Sequence, residues 1–171
     1  MNQALGAVLA VDPTTGAAKE VYSFSGGADG YGPSGGLLDV DGTLYGLTQN
    51  GGISPNCLFG CGTVFAVNPV TGAEKVVYAF QGKNDGVSPA GSLLDAGGVL
   101  FGTTAGGGAY EMGTVFALNL KTGVERVLYS FGGVPDGAYP EAGVIKLGDT
   151  LYGTTAGGGT YNDGTVFAIK P

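Results

Sequence analysis

Hydrophobic and polar positions alternate over short stretches of this chain, and no stretch sustains a helical period. Across 63–68, Thr63, Phe65 and Val67 fall on one side and Val64, Ala66 and Asn68 on the other, the two-residue period of a β-strand. Pro69-Val-Thr-Gly72 follows as a turn, with Pro suited to its first corner and Gly to its left-handed exit. The next stretch, 74–80, sets Val76, Tyr78 and Phe80 opposite Val77 and Ala79. Two more strands are predicted at 92–96 and 99–104, joined by the hairpin signal Gly97-Gly98. Both faces of these strands are largely apolar, which predicts a sheet covered on both sides.

The pattern repeats. GTVF begins at Gly62, Gly113 and Gly164, in two steps of 51 residues. A weaker copy, GAVL, begins at Gly6, and the 56-residue step to Gly62 contains a five-residue insertion within ISPNCLFGC. Tyr22-Ser-Phe24, Tyr78-Ala-Phe80 and Tyr129-Ser-Phe131 correspond, as do LYGLTQNGG, LFGTTAGGG and LYGTTAGGG. The chain therefore reads as a single repeat domain, 1–171, with units 6–61, 62–112 and 113–163 and a partial unit, 164–171.

Four strands in roughly 50 residues is the size of one β-propeller blade. The expected fold class is all-β and propeller-like, built from four-stranded antiparallel blades. In blade order the chain reads as third and fourth strands, two full sets, then first to third strands. The two end fragments together complete a blade with one third strand to spare, GAVL or GTVF. A homo-oligomer is expected, with a two-fold dimer of six blades as the simplest closed form and a head-to-tail filament as the open one.

Composition narrows the partners. Hydrophobic residues make up 43% of the chain, enough for a packed core. The 36 glycines lack an every-third spacing, so they mark turns and not collagen. Net charge is −7 and the seven cations are scattered, which excludes the basic stripe of a nucleic-acid binder. No apolar run is long enough to span a bilayer, so no membrane insertion is expected. The start, MNQALGAVLAVDP, lacks the form of a signal peptide.

The chemistry is sparse. The chain has no His, which removes His-dependent triads and the commonest metal ligand. No catalytic set, metal site or cofactor is expected. The D-G-x-x-P loops at Asp29, Asp85 and Asp136 are turn formers, or else a repeated ligand site with Tyr31 and Tyr139 stacking on a sugar face. Tyr110 and Tyr161, with Phe59 equivalent, lie in glycine-rich loops and either fill gaps between blades or bind ligand. Calcium would need more oxygens than Asn162-Asp163 or Asn84-Asp85 supply. Cys57 and Cys61 suit a disulfide stapling the insertion, with reduced thiols as the alternative. An enzyme, as a carboxylate-dependent glycoside hydrolase or lyase, would draw on Glu74, Glu111, Glu125 and Glu141. Glu74 and Glu125 share a repeat position and read as solvated surface, whereas Glu111 and Glu141 are unrepeated.

GTVFAVNPVTGAEKVVYAF resembles the repeat of quinoprotein-type propellers, and LFGTTAGGG is similar to the double-glycine strand of kelch repeats. Leu151-Tyr-Gly-Thr-Thr155 followed by Gly164-Thr-Val-Phe167 resembles the bacterial GloVer tandem repeat more closely, over nearly the whole chain. That resemblance implies an extracellular or cell-surface bacterial protein and brings no established activity. The expected function is a self-assembling scaffold or ligand-binding module, with a multivalent carbohydrate-binding propeller as the alternative.

Overall fold

The computed structural model describes residues 5–171, in which every regular element is a β-strand. Strands β1 (Ala7–Val11) and β2 (Ala18–Ser23) form a two-stranded antiparallel sheet. Next, β3 (Tyr31–Val40), β4 (Thr43–Asn50), β5 (Thr63–Val67) and β6 (Glu74–Ala79) make a four-stranded meander. A second meander holds β7 (Val87–Asp95), β8 (Val99–Gly106), β9 (Thr114–Asn119) and β10 (Glu125–Ser130). The last unit gives β11 (Gly137–Ala138), β12 (Ile145–Leu147), β13 (Thr150–Thr155), β14 (Gly157–Gly158) and β15 (Thr165–Ile169). There β12, β13 and β15 form a three-stranded sheet, and β11 pairs with β14. Each four-stranded sheet straddles a sequence unit, because GTVF supplies the third strand of a sheet begun by the unit before it.

The recurring motifs have a shared packing cause. Gly46, Gly102 and Gly153 sit directly across the ladder from Phe65, Phe116 and Phe167. Each phenylalanine ring lies over its glycine, where a Cβ would come within 2.4, 2.5 and 2.4 Å of the ring tip. This is why LYG or LFG always accompanies GTVF. The same rings receive an edge-to-face partner from the preceding sheet: Phe24 on Phe65, Phe80 on Phe116 and Phe131 on Phe167, with centroids 5.0, 5.2 and 5.0 Å apart. Such a pair is worth about 0.5–1.5 kcal/mol beyond the area it buries. A hydroxyl pair also recurs at 2.8 Å, buried in Thr48–Thr63 and Thr104–Thr114 and part-buried in Thr155–Thr165, joining the second and third strands.

The core is divided among the gaps between sheets. Val8 and Phe24 pack on Phe65 and Val67. Leu47, Val64 and Phe80 pack on Leu100, Phe116 and Leu118. Val115, Ala117 and Phe131 pack on Leu151 and the flanking Phe167 and Ile169. Among the described residues, the outer faces of the end sheets have no such cover. Val64 and Val115 are 0% exposed, yet their repeat equivalent Val166 is 79% exposed. Leu9 and Val11 are 56% and 58% exposed, whereas their equivalents Phe65 and Val67 are 1% and 0%.

The strand expected at 92–96 begins earlier, at Val87. Pro89 reads as a loop end, but it pairs with Thr104 inside β7. β7 is an edge strand of its sheet, where a missing N–H is tolerated. In the last unit the same segment is interrupted, and β11 and β12 flank 139–144.

Candidate functional site

The three Asp-Gly loops connect one sheet to the next, and their carboxylates are held by the chain itself. Asp29 accepts from the Tyr22 hydroxyl at 2.9 Å, from the Ser25 amide and hydroxyl at 2.7 Å each, and from the Gly27 amide at 3.2 Å. Asp85 accepts from the Tyr78 hydroxyl at 3.1 Å and from the Gln81 amide. Asp136 accepts from the Tyr129 hydroxyl at 3.0 Å and the Gly132 amide at 2.9 Å. The tyrosine of each Tyr-x-Phe motif thus ties the end of a fourth strand to the loop that follows it.

Glu74 and Glu125 depart from the surface role expected of them. Both are partly buried, and the Oε1 atom of each is enclosed without a hydrogen-bond partner. Each belongs to the sheet after the Asp-Gly loop and turns back across the gap, Glu74 toward Tyr22 and Asp29, Glu125 toward Tyr78 and Asp85. The result is a repeated Tyr–Asp–Glu cluster between sheets. Burial, then the Asp85 charge, pushes the Glu125 carboxyl up to about 8. Burial also raises Asp85, against the Gln81 amide and the Tyr78 hydroxyl. Burial and the Asp29 charge raise Glu74. Asp29 goes the other way: burial opposes it, but the Ser25, Tyr22 and Gly27 donors outweigh that and hold it below its usual value. Burial and the neighbouring acids raise Tyr22 and Tyr78.

The sequence carries a signal for this cluster. Glutamate stands at 74 and 125, where a preceding unit supplies Tyr and Asp, and the first unit has Ala18 instead. Repetition alone did not reveal it, because each glutamate meets the tyrosine of the unit before its own.

The proposed aromatic ligand contacts separate into different surroundings. Tyr31 and Tyr139 are not equivalent: Tyr31 aligns with Val87 and Ala138, and Tyr139 with Gly32 and Ser88. Tyr139 adopts φ 57°, a left-handed conformation costly for a bulky side chain, with its N–H donating to the Met112 carbonyl at 2.8 Å. Phe59, Tyr110 and Tyr161 occupy one repeat position, and all three are exposed. Tyr110 leans toward Gly132 and so toward the loop of Asp136.

Cys57 and Cys61 are joined by a disulfide within the insertion. The bridged loop and the Asp29 loop enclose an open cleft of about 470 Å³, lined by Tyr31, Ile53, Ser54, Leu58 and Phe59 among others. Glu111 and Glu141 are both exposed and do not line this cleft. Among the described residues no three His, Cys, Asp or Glu side chains converge as a metal site would require, and no helix is long and apolar enough to cross a membrane.

Solved structures share this architecture at low identity. A chain of the nidogen–laminin complex matches with a TM-score of 0.61 at 15% identity, over 98% of this chain and 56% of that one. TolB from Acinetobacter baumannii matches at 0.53 and 15% identity, over 95% of this chain and 34% of that one. The computationally designed Ika4 protein matches at 0.53 and 14% identity, over 97% and 81%. The chain thus spans about half the length of the first of these and a third of the second. No curated protein gives a significant match to the sequence. The likeness to these structures establishes an all-β fold of repeated, propeller-like sheets. The family model of the Gloeobacter/Verrucomicrobia repeat matches residues 1–171, and the chain belongs to that family.

Proposed function

We propose that the protein is a non-enzymatic, self-assembling propeller-like scaffold whose open end sheets are completed by a second copy. One observation carries this reading: Val166 is 79% exposed where Val64 and Val115 are fully buried. A position that is core in two sheets and bare in the third marks an interface awaiting a partner. At the other end, Leu9 and Val11 expose the opposite face of the same repeat. Joined edge to edge with β2 of a second copy, the last sheet becomes a full blade whose Val166 face lies against that copy's β3–β6 sheet, as Val8 does within one chain, and two copies joined so at both ends make a six-bladed ring. Light scattering behind size exclusion tests this. The wild type is expected at dimer mass and Val166→Asp at monomer mass, and a monomeric wild type refutes it.

A second reading adds carbohydrate binding along one rim. It is favoured by the exposed Phe59, Tyr110 and Tyr161 at one repeat position and by the cleft beside Tyr31. Flat aromatic faces stack on sugar rings, and repeated loops give multivalency. A glycan array is expected to show binding that falls on Tyr110→Ala or Tyr161→Ala, and an array without hits sinks this reading. An extracellular or surface location is consistent with the Cys57–Cys61 disulfide.

A further inference from the structure

Closure of a six-bladed ring leaves two strands competing for one place. Both β1 and β15 are third strands of their blades, and the junction has room for one. We infer that β15 of one copy displaces β1 of the other, so that β1 is a placeholder which covers the N-terminal sheet gap until a second copy arrives. This rests on the self-assembly reading above and specifies its geometry.

The argument compares the two strands position by position. β15 carries Thr165, whose hydroxyl pairs with Thr155 at 2.8 Å, as in both complete sheets. β1 has Ala7 at that position and no hydroxyl. β15 carries Phe167, stacked edge-on against Phe131 at 5.0 Å. β1 has Leu9 there, 56% exposed. If β1 of a second copy replaced β15, the final sheet would lose both the hydroxyl pair and the aromatic stack.

The opposite exchange loses neither. β1 has one strand neighbour, β2. Its main inward contribution is Val8, 5% exposed, in the cluster with Phe24, Phe65 and Val67. β15 offers Val166 at the equivalent position. Strand pairing is conserved, since β2 exchanges one antiparallel neighbour for another. The gain is cover for the outer face of the final sheet, where Val166 and Ile145 now stand exposed. The register follows from the repeat. Val8 pairs with Tyr22, Ala10 with Lys19 and Val11 with Ala18. After exchange Val166, Ala168 and Ile169 take those three partners in a second copy.

Two full-length variants test this. Paired Cα atoms of antiparallel strands lie within disulfide reach. Ala10→Cys with Lys19→Cys bridges β1 to β2 within one chain. With the bridge formed by thiol titration, this protein is expected to remain monomeric and to recover wild-type mass when reduced, while reduction leaves the mass of the wild type unchanged. Separately, Lys19→Cys protein mixed with Ala168→Cys protein is expected to give a cross-linked dimer under oxidation, with neither variant alone giving it. A bridged Ala10–Lys19 variant that associates like wild type, or an associating mixture without the cross-link, overturns strand displacement and leaves self-assembly standing. A wild type that is monomeric at every concentration overturns both.

Discussion

Glu125→Gln tests the cluster between the two complete sheets. In the folded protein Glu125 is pushed from 4.5 to about 8, by burial first and then by the Asp85 charge. An acid whose folded value is raised binds its proton more tightly when folded. Stability is therefore highest below the unfolded value, falls as pH rises from about 4.5 toward about 8, and levels off beyond. At about 1.4 kcal/mol per unit the full shift sets an upper bound near 5 kcal/mol, and because the carboxyl is only half-buried, solvent screening reduces this to about 1–2 kcal/mol. Glutamine keeps the shape and cannot ionise. The variant should match wild type near pH 5 and exceed it by about 1–2 kcal/mol near pH 8.5, a rise in Tm of roughly 2–4 °C per kcal/mol for a chain of this size. Urea unfolding at both pH values, at one protein concentration, reads the effect. A variant that keeps the wild-type slope between the two values refutes the assignment, as does one less stable than wild type at both.

Gly102→Ala puts a Cβ 2.5 Å from the Phe116 ring and should cost about 1–3 kcal/mol by overpacking, read as a lower urea midpoint. Replacing Cys57 and Cys61 together by Ser releases a five-residue loop and should lower stability by about 2 kcal/mol or less, with faster proteolytic nicking between 51 and 61 as the local readout. Association of two copies should vary little between pH 5 and 8.5, because Ala18 stands where Glu74 and Glu125 do and brings no carboxyl to the Tyr129–Asp136 pair. Sedimentation equilibrium across that range checks it, and a strong pH dependence would place a different surface at the junction.

Much of the fold was legible because one packing solution is written three times. GTVF, LYG and Tyr-x-Phe recur since each phenylalanine needs a glycine beneath it and an aromatic edge beside it. The extent of β7 was hidden by Pro89, whose missing N–H is harmless only at a sheet edge, a property that no local pattern displays. The Tyr–Asp–Glu clusters were hidden for another reason. Glu125 looks solvated beside Arg126 in its own strand, and its burial depends on a tyrosine 47 residues earlier, brought close only by stacking the sheets. Tyr31 and Tyr139 look alike beside their loops, but the D-G-x-x-P register itself puts them at successive positions.

The central claim is that the open end sheets of one copy are completed by those of a second copy. Light scattering of the wild-type protein over a hundredfold range of concentration tests it most directly. The account predicts a species of twice the 16.9 kDa chain mass that persists on dilution until it dissociates to one chain. A constant 16.9 kDa at every concentration, with Val166 still open to solvent, would contradict it.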